Sequence, residues 1–509
     1  MAMRTLRQAR WVLLVALAWG CTRHEAPQGL GRRVAEGSVL SLRASPDGAY
    51  LGFLHRCQRM KDRTLPPGTS SCELAVVPSG GGAARRVAGG VTTLPQGFAW
   101  SASGHVLAAL ADYDHVEGRG ALVLWSGGEP RRVSEAVSFY SLDRAGSQAG
   151  WVTEGQLYVA RVEGVAPTPV AGAQRVATFE FGGTEGVEIL ARRSARAGGE
   201  LLAVRGHAAA AVTVAADVRD YAFAREGRRF AFTSGKSQSL SVASADGLHG
   251  APPLGREVRA FLFSPRGDAI AFVADATPGR QGDLYLAAPG ATPGRVARRV
   301  GELRWSADGS RLAWLQDYDP RSRTGTLALG GLGVKPALMA RNVSDFDLTS
   351  DGRSAAFLVH ETAGGYSVDL GLAQAGGAPA TVAKGVFGFS FSPDSRWLYY
   401  RTACVREAEA CDLLRVPASG PPPAAKPEPV AQGVKSFEFA PGRPGRLLVS
   451  WARKDRLALD LAFWEGEKLT AIDTYALPGS VQFLGGDPGR IAYAVVEPKR
   501  AGVYVAGVP

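Results

Sequence analysis

The sequence contains none of the short motifs that mark the commonest catalytic sites. It has no G-x-S-x-G nucleophile elbow, no H-E-x-x-H zinc motif, no P-loop and no dinucleotide-binding fingerprint. His is scarce, with seven residues, and none of them has His-x-His spacing. These absences argue against a hydrolase, a zinc enzyme or a nucleotide-dependent enzyme, so we expect no catalytic residue, no cofactor and no metal ligand. A cryptic hydrolase or lyase with dispersed residues is the alternative.

Runs of basic residues with interleaved aromatics are also missing, although the formal net charge is +11. Nucleic-acid-binding proteins carry such basic stretches, so nucleic acid is not an expected partner. Charged residues make up 21% of the chain and apolar residues 46%, while 64 Gly and 31 Pro indicate many short turns. A globular chain of 509 residues is too long for one ordinary core, so two domains or a repeat array are expected.

The start of the chain has the pattern of an export signal. Three basic residues, Arg4, Arg7 and Arg10, precede the apolar run WVLLVALAW at Trp11–Trp19. This run is too short to span a bilayer as a stable helix, and its position and basic flank are typical of a signal peptide. We therefore predict a signal peptide at residues 1–20.

The signal ends in LAWGC, Leu17–Cys21, which resembles a bacterial lipobox. In a lipobox, cleavage precedes a Cys that receives a diacylglycerol, and lipid chains then anchor the protein to a membrane surface. The resemblance implies lipidation of Cys21, followed by a linker at residues 21–30. Thr22 in place of Asp favours the outer membrane. The alternative is an ordinary secretory signal in which Cys21 is incidental.

The remaining four Cys residues form two close pairs along the chain, Cys57 with Cys72 and Cys404 with Cys411. An even number of Cys in an exported protein predicts disulfides. Neither pair has a second pair or His residues at zinc spacing, so a metal is not expected. We predict two disulfides.

One short pattern recurs along the chain. FSPDSRWLYYR at Phe391–Arg401 has close relatives in ASPDGAYLGFL, FSPRGDAIAFV and WSADGSRLAWL. With the turn residue as a marker, the successive units are placed at Gly48, Gly104, Gly146, Gly186, Gly227, Gly267, Gly309, Gly352, Ser395, Gly445 and Gly489. Most steps are about 40 residues, and repeats of short alternating strands at this period are typical of propeller blades.

Each unit predicts four antiparallel strands. In the unit that begins at Val258, an alternating strand leads into Pro265 and Gly267, which favour a tight turn, and two further apolar segments and a short basic one follow. This pattern resembles the WD-like repeat of TolB and of the propeller domain in prolyl-oligopeptidase-type peptidases, over about residues 31–509. The resemblance implies an all-β fold, a β-propeller of about eleven four-stranded units.

Eleven units exceed the usual four to eight blades of one ring. We therefore expect two propellers, the first at residues 31–257 and the second at residues 258–509. The segment GRRVAEG at Gly31–Gly37 matches fourth-strand pieces elsewhere, and the chain stops after what reads as a third strand, GVYVAGV. The N-terminal strand is therefore predicted to close the last blade.

Several insertions fall between the second and third strands of a unit. They include both Cys pairs and two acidic hairpins, ADYDHVEGRG and QDYDPRSRTG. A stapled hairpin either touches a partner or is merely protected outside the cytoplasm. The acidic hairpins either bind a partner or are solvated tips, and calcium is a further alternative. The predicted partner-binding residues are Asp112, Tyr113, Asp114, Asp317, Tyr318 and Asp319.

Together these features predict an exported, lipid-anchored propeller that acts as a non-enzymatic, protein-binding scaffold in the bacterial cell envelope. TolB-like proteins engage envelope lipoproteins, so the resemblance implies envelope proteins, including other outer-membrane lipoproteins, as partners. The expected location is the outer membrane, on its periplasmic or its external side. The alternative function is a propeller that binds glycan, peptidoglycan or a small ligand.

Overall fold

The computed structural model describes residues 31–507 except for a set of short internal segments. Those segments are residues 63, 165, 183–187, 194–198, 206–208, 226, 245–251, 276–280, 361–367, 406–408, 419–425 and 455–456. The predicted signal peptide, the linker up to residue 30 and Cys21 lie outside the described residues.

The described chain consists of strands and their connections, without a helix. The first fourteen strands are β1 (Arg32–Glu36), β2 (Val39–Ala44), β3 (Tyr50–Arg59), β4 (Ser70–Pro78), β5 (Arg85–Thr92), β6 (Phe98–Trp100), β7 (Leu107–Asp114), β8 (Arg119–Trp125), β9 (Arg131–Leu142), β10 (Gln148–Thr153), β11 (Gln156–Arg161), β12 (Thr168–Pro169), β13 (Val176–Phe181) and β14 (Ile189–Arg193). The next fourteen are β15 (Gly199–Val204), β16 (Val212–Val218), β17 (Tyr221–Phe223), β18 (Arg229–Ser234), β19 (Ser239–Ser244), β20 (Ala260–Phe263), β21 (Ile270–Ala274), β22 (Asp283–Ala287), β23 (Gly294–Ala297), β24 (Leu303–Trp305), β25 (Leu312–Asp319), β26 (Thr324–Gly331), β27 (Val334–Leu348) and β28 (Ser354–His360). The last thirteen are β29 (Val368–Gln374), β30 (Ala380–Ala383), β31 (Gly388–Phe391), β32 (Trp397–Val405), β33 (Ala410–Pro417), β34 (Glu428–Val434), β35 (Ser436–Ala440), β36 (Arg443–Ala452), β37 (Leu459–Glu465), β38 (Lys468–Ala476), β39 (Gln482–Leu484), β40 (Asp487–Val495) and β41 (Gly502–Gly507).

These strands pair in sequence order into antiparallel sheets, and within the described residues they form eleven successive units. The units are β2–β5, β6–β9, β9–β12, β13–β16, β17–β19, β20–β23, β24–β27, β27–β30, β31–β34, β35–β38, and β39–β41 with β1. The long strands β9 and β27 each belong to two units, because one half pairs with the preceding strand and the other half with the following strand. The fold is a β-propeller, as predicted.

The recurrent Ser-x-Asp-Gly pattern makes the turn between the first and second strands of a unit. In the first unit, the Ser45 hydroxyl donates to Asp47 Oδ1 at 2.5 Å and accepts from the Tyr50 amide at 2.9 Å. The Gly48 amide donates to the Ser45 carbonyl at 2.8 Å, and Gly48 has a φ of 73°. Gly adopts this left-handed conformation at no steric cost, which explains why it recurs there.

Two of the predicted turn positions were wrong by three residues. Gly445 lies inside β36 and Gly489 inside β40, and the turns are formed instead at Gly442 and Gly486, with φ values of 69° and 74°. Both units lack the Ser-x-Asp-Gly pattern, so spacing alone placed their turns. The turn predicted at Gly186 lies outside the described residues.

Hydrophobic cores hold neighbouring units together face to face. Leu54 of the first unit shares a core with Leu107 of the second, and the same kind of shared core joins each later pair of units in turn. A final core joins the last unit to the first, through Val503 and Phe53. Removing such side chains from water is worth about 1.5–3 kcal/mol each, so packing between units stabilises the fold.

This succession of cores has no break at residues 257 and 258, where two rings were expected to meet. Ala231 in the fifth unit and Phe272 in the sixth belong to one core. Among the described residues, the units therefore follow one another in a single closed cycle, and the division into two rings is not supported by the packing. The sequence favoured two rings because eleven units exceed the usual number in one ring.

The N-terminal strand closes the last unit, as predicted. β1 pairs antiparallel with β41, with Arg32 opposite Val505 and Glu36 opposite Gly502. The last unit thus takes three strands from the end of the chain and one from its beginning. Because β1 covers the pairing edge of β41, it joins the two ends of the described chain.

The antiparallel units define two faces of the propeller. Turns between first and second strands lie side by side, since the Asp308 amide donates to the Ser350 carbonyl at 3.0 Å and the Ser350 amide donates to Ser395 Oγ at 2.8 Å. We call this side, which also carries the connections between third and fourth strands, the turn face. The hairpins between second and third strands lie at the opposite end, on what we call the hairpin face.

Candidate functional site on the hairpin face

Four hairpins on the hairpin face share an unusual backbone. In the first, second, seventh and ninth units, the second strand carries a bulge near its end. In each bulge a residue other than Gly has positive φ: Arg56, Asp112, Asp317 and Ala403, with values of 47°, 48°, 52° and 50°. Bulges bend a strand and redirect its side chains, so the second strands of these four units bend in the same way where their hairpins begin.

Two of the four hairpins are joined by disulfides, as predicted. Cys57 in β3 is bonded to Cys72 in β4, and Cys404 in β32 to Cys411 in β33; the Cα atoms are 4.0 Å apart in both. Each second-strand Cys directly follows the positive-φ residue of its bulge. The two hairpins are therefore held closed at the bulge.

The two acidic hairpins have the same backbone without the disulfide. Tyr113 and Tyr318 directly follow Asp112 and Asp317, and so stand where Cys57 and Cys404 stand in the other units. Both Tyr side chains are half-buried and pack against cores between units. The Tyr113 hydroxyl accepts a hydrogen bond from Gln96 Nε2 at 3.0 Å. The tyrosines therefore hold their hairpins against the propeller and do not project from it.

The carboxylates of the acidic hairpins are used within the hairpins or by neighbouring Arg residues. Asp112 Oδ2 lies 2.9 Å from an Nη1 of Arg132, and Asp317 Oδ1 lies 2.7 Å from Nη2 of Arg299. Asp114 accepts from the amides of Glu117 and Val116, and these two hydrogen bonds lower its pKa below the ordinary value.

Asp319 has the same role in the seventh unit. Hydrogen bonds from the Arg321 amide and then from the Ser322 hydroxyl lower the pKa of its carboxyl. Within the described residues, no group of three or more His, Cys, Asp or Glu side chains is arranged to hold a metal ion. The structure thus gives the four predicted Asp residues turn-forming and ion-pairing contacts.

Exposed apolar side chains lie at Val116 in the first acidic hairpin, which is 84% exposed, and in a second part of the hairpin face. Val405, at the tip of the second stapled hairpin, is 53% exposed, and Phe387, in the connection that leads into the same unit, is 48% exposed. Leu457 lies in the corresponding hairpin of the tenth unit and is 72% exposed. We call Phe387, Val405 and Leu457 the apolar rim.

Hydrogen bonds and an ion pair within and between the ninth and tenth units surround the apolar rim. The Phe387 amide donates to the Arg401 carbonyl at 2.9 Å, next to the bulge of β32. Lys435, in the connection between the units, bonds through its amide to the Ser450 carbonyl at 2.8 Å and through Nζ to Glu409 at 2.7 Å. The sequence analysis missed this rim, because nothing in a single apolar residue of a loop shows whether neighbouring units cover it.

A cavity of about 290 Å³ lies between the first strands of the second and third units. Aromatic side chains of Trp100 and Tyr140 line it together with polar residues such as Ser138 and Arg144. The Trp100 indole donates to the Arg43 carbonyl at 3.1 Å and the Tyr140 hydroxyl to the Ala108 carbonyl at 3.3 Å. Pockets of this mixed kind bind small ligands in other proteins, so the cavity is a second candidate site.

In the part of the chain that the structure describes, no helix has the length and apolar character needed to cross a bilayer.

The comparisons with known proteins do not place the chain in a family. Among solved structures, it is similar to a crystal structure of the eukaryotic initiation factor, with 12% identity, a TM-score of 0.40, and 77% of this chain and 88% of that chain covered. It is also similar to a crystal structure of the tricorn protease, with 13% identity, a TM-score of 0.24, and 93% of this chain and 57% of that chain covered. No family model and no curated relative matches the chain.

Proposed function

We propose that this protein is an exported, lipid-anchored β-propeller that binds other proteins of the bacterial cell envelope without catalysing a reaction. Lipidation of Cys21, the envelope location and the TolB-like character rest on the sequence patterns described above. The partner contact is assigned to the hairpin face. The observation that carries this assignment is the apolar rim of Phe387, Val405 and Leu457, supported on a hairpin that the Cys404–Cys411 disulfide holds closed.

A protein partner can bind exposed apolar side chains that stand on a hairpin closed by a disulfide. Covering exposed apolar side chains with a partner lowers the free energy, and a hairpin that a disulfide holds closed loses less conformational entropy on binding. The acidic hairpins contribute less, because the carboxylates of Asp112 and Asp317 are paired with Arg residues of the propeller itself. The predicted partner-binding residues Tyr113 and Tyr318 support their hairpins from the inside.

The test is purification of the tagged, full-length protein from gently solubilised native membranes, followed by mass spectrometry. We expect a stoichiometric envelope protein that is lost from the Phe387→Asp/Val405→Asp double variant. The matched control is Leu332→Asp, because Leu332 is 46% exposed but lies in a connection on the turn face. Melting curves and thiol counts confirm that each variant is folded and keeps its disulfides.

Two outcomes contradict parts of this proposal. In the first, the protein is recovered alone and at full yield. In the second, the rim variant and the Leu332→Asp control retain the partner equally well. The second outcome refutes the contact site, whereas the first refutes the scaffold function itself.

A propeller that binds a small ligand or a glycan is the second candidate, and the aromatic and polar cavity at Trp100 and Tyr140 favours it. Aromatic rings beside hydroxyl and guanidinium groups suit a sugar or a peptidoglycan fragment. Calorimetric titration with soluble peptidoglycan fragments tests it. Binding that disappears in Trp100→Ala supports this function, and heat changes that are equal in the variant and the parent protein contradict it.

A further inference from the structure

We propose that the turn face of the propeller rests on an anionic lipid surface, so that the hairpin face points away from the membrane. This inference rests on the proposed lipid anchor at Cys21. It adds the orientation of the anchored propeller and the chemistry of the lipid that it touches. Two independent observations carry it: the place at which the chain enters the propeller, and the distribution of charge on the two faces.

The chain enters the propeller at the turn face. Arg32, the first residue of β1, donates to the Gly80 carbonyl, which lies in the turn-face connection between β4 and β5. The other end of β1 reaches the hairpin face, where the Gly37 amide donates to the Ala501 carbonyl at 3.1 Å. Because β1 runs from the turn face to the hairpin face, a tether that precedes residue 31 leaves the propeller at the turn face.

The length of the tether limits how the propeller can lie on the membrane. Residues 22–31 separate Cys21 from β1, and ten residues span at most about 35 Å when fully extended. A blade of ordinary strands is about 17–20 Å high. A lipid on Cys21 therefore favours the turn face as the side next to the bilayer, because contact of the hairpin face would require the tether to run along the outside of the blade for its whole height.

The turn face presents arginines to solvent. Most turns between first and second strands carry one close to the turn residue, and the exposed ones are Arg144, Arg225, Arg228, Arg266, Arg353, Arg396 and Arg443. The side chains of Arg353 and Arg396 are 85% and 81% exposed. Arginines at a membrane surface are attracted to anionic headgroups and bind phosphate in a bidentate manner.

The carboxylates of the same turns are engaged by the turns themselves. The Ser264 hydroxyl donates to Asp268 at 2.7 Å, the Thr349 hydroxyl to Asp351 at 2.8 Å and the Ser392 hydroxyl to Asp394 at 2.6 Å. Arg353 and Arg396 lie 3.4 and 3.7 Å from these carboxylates. Such exposed ion pairs are weak, so a phosphate headgroup can displace the carboxylate as the partner of the guanidinium.

The hairpin face has a different distribution of acidic and basic side chains. Its hairpins supply acidic side chains that pair with arginines, as in the Arg132–Asp112 and Arg299–Asp317 pairs at 2.9 and 2.7 Å. Arg132 also bonds to Glu135 through Nε at 2.5 Å. The hairpin at residues 111–119 carries Asp112, Asp114 and Glu117 against one arginine, Arg119, so this part of the hairpin face repels an anionic membrane.

The experiment is co-sedimentation of the mature chain, with Cys21→Ala to remove the lipid, with two kinds of vesicle. One is an equal mixture of phosphatidylglycerol and phosphatidylcholine, and the other is phosphatidylcholine alone. We expect at least tenfold more binding to the anionic vesicles at low salt, and a loss of most of this preference at high salt.

Charge reversal on each face locates the contact. Arg353→Glu/Arg396→Glu on the turn face is expected to weaken binding at least fivefold. Arg119→Glu/Arg321→Glu, an equal charge change on exposed hairpin-face residues, is expected to leave binding within twofold of the parent. Arg353→Gln/Arg396→Gln is a milder turn-face pair, expected to lie between these values, for use if the Glu pair fails to fold. Equal losses on the two faces, or no preference for anionic vesicles, overturn the proposal.

Hydrogen exchange on the lipidated protein in the same anionic vesicles tests the orientation directly. We expect slower exchange in the turns at residues 306–311, 349–354 and 392–397, with no change in the hairpins at residues 111–119 and 316–324. Protection of the hairpins instead overturns the orientation. An unmodified Cys21 in protein from native membranes overturns the anchor on which the orientation rests, and it leaves the partner test of the apolar rim unaffected.

Discussion

Cys57 and Tyr113 occupy the same place in neighbouring blades. Each directly follows a bulge residue with left-handed φ, Arg56 at 47° and Asp112 at 48°. Each lies within the bulge where the second strand pairs with the third strand of its unit. A disulfide and a half-buried tyrosine are therefore two ways in which one bulged hairpin is held against the propeller. Sequence similarity between the two segments is slight, and only the shared backbone shows that they are equivalent.

This equivalence predicts that a disulfide can be introduced into the seventh unit. Tyr318 and Gly325 correspond to Cys404 and Cys411, which are seven positions apart in the chain. A Cβ built at Gly325 would lie 3.4 Å from the Tyr318 Cα and no closer than 3.0 Å to any other atom, so a Cys fits there with a small adjustment. We expect Tyr318→Cys/Gly325→Cys to form a third disulfide in an oxidising compartment.

Peptide mapping with and without reductant detects the new disulfide. Tyr318→Cys alone is the control, and it is expected to show one additional free thiol. Two free thiols in the folded double variant contradict the equivalence of the two hairpins.

Closure of the last blade on the first depends on the absence of a side chain at Gly48. A Cβ there would lie 2.1 Å from the Gly485 carbonyl oxygen, and the φ of Gly48 is 73°. The left-handed conformation costs a residue other than Gly about 1–2 kcal/mol, and overpacking typically adds about 1–3 kcal/mol. We expect Gly48→Ala to lower the free energy of unfolding by about 3 kcal/mol.

Gly127→Ala separates the two costs, because Gly127 has a φ of 99° but no atom within 4 Å of its Cβ position. This control is expected to lose only about 1–2 kcal/mol, from the backbone conformation. Urea unfolding of both variants gives the comparison. Equal losses would show that the contact between the last and first blades does not constrain Gly48.

A buried hydrogen-bond network supports the last blades. The Tyr493 hydroxyl donates to Asp473 Oδ2 at 2.8 Å, Asp473 is 1% exposed, and Arg500 pairs with its other oxygen at 2.5 Å. Burial and the neighbouring Asp473 raise the pKa of Tyr493 above its ordinary value. Because hydrogen bonds to charged groups contribute about 1.5–3 kcal/mol, we expect Tyr493→Phe to destabilise the protein by about 2 kcal/mol.

Tyr504→Phe is the matched variant, because the Tyr504 hydroxyl donates at 2.8 Å to a neutral acceptor, the Arg500 carbonyl. Its expected cost is about 1 kcal/mol. Urea unfolding measures both, and a smaller loss for Tyr493→Phe than for Tyr504→Phe would contradict the role of the buried carboxylate.

The turn carboxylates predict how stability depends on acid. The hydrogen bond from the Ser264 hydroxyl lowers the pKa of Asp268 below its ordinary value of 3.8. A carboxyl whose pKa is lower in the folded state contributes stability above its unfolded pKa and loses it as the pH falls through the folded pKa. The stabilising effect of Asp268 should therefore be constant at neutral pH and decline below about pH 4.

Urea unfolding of the parent protein and of Asp268→Asn between pH 7 and pH 2.5 measures this effect. The difference in unfolding free energy is expected to be constant above pH 5 and to shrink as the pH approaches 2.5. A difference that is independent of pH over the whole range would refute the assignment of the lowered pKa to the folded turn.

Local sequence patterns predicted most of the repeating fold. The Ser-x-Asp-Gly turn is self-contained, since the Ser45 hydroxyl, the Asp47 carboxylate and the Gly48 amide all bond within one short segment. Such a turn reads directly from the sequence. Where the pattern is missing, as before Gly442 and Gly486, the predicted turn position was wrong by three residues. Spacing along the chain does not physically constrain where a turn forms.

The candidate site was harder to predict. The acidic hairpins were placed in the correct position between second and third strands, but their Asp side chains pair with Arg132 and Arg299, which lie at a distance in the chain. The apolar rim gave no signal, because the exposure of Phe387 and Leu457 depends on how far the adjacent blades reach over them.

The sequence by itself determined the repeating unit, the two disulfide pairs and the strand that closes the last blade, because each follows from short-range chemistry or from the likeness of one unit to another. Tertiary structure alone decided the closed succession of eleven cores, the equivalence of Cys57 with Tyr113 and the exposure of the apolar rim. These depend on which surfaces meet when blades pack face to face. That packing is a property of pairs of units, and no single segment of the chain contains it.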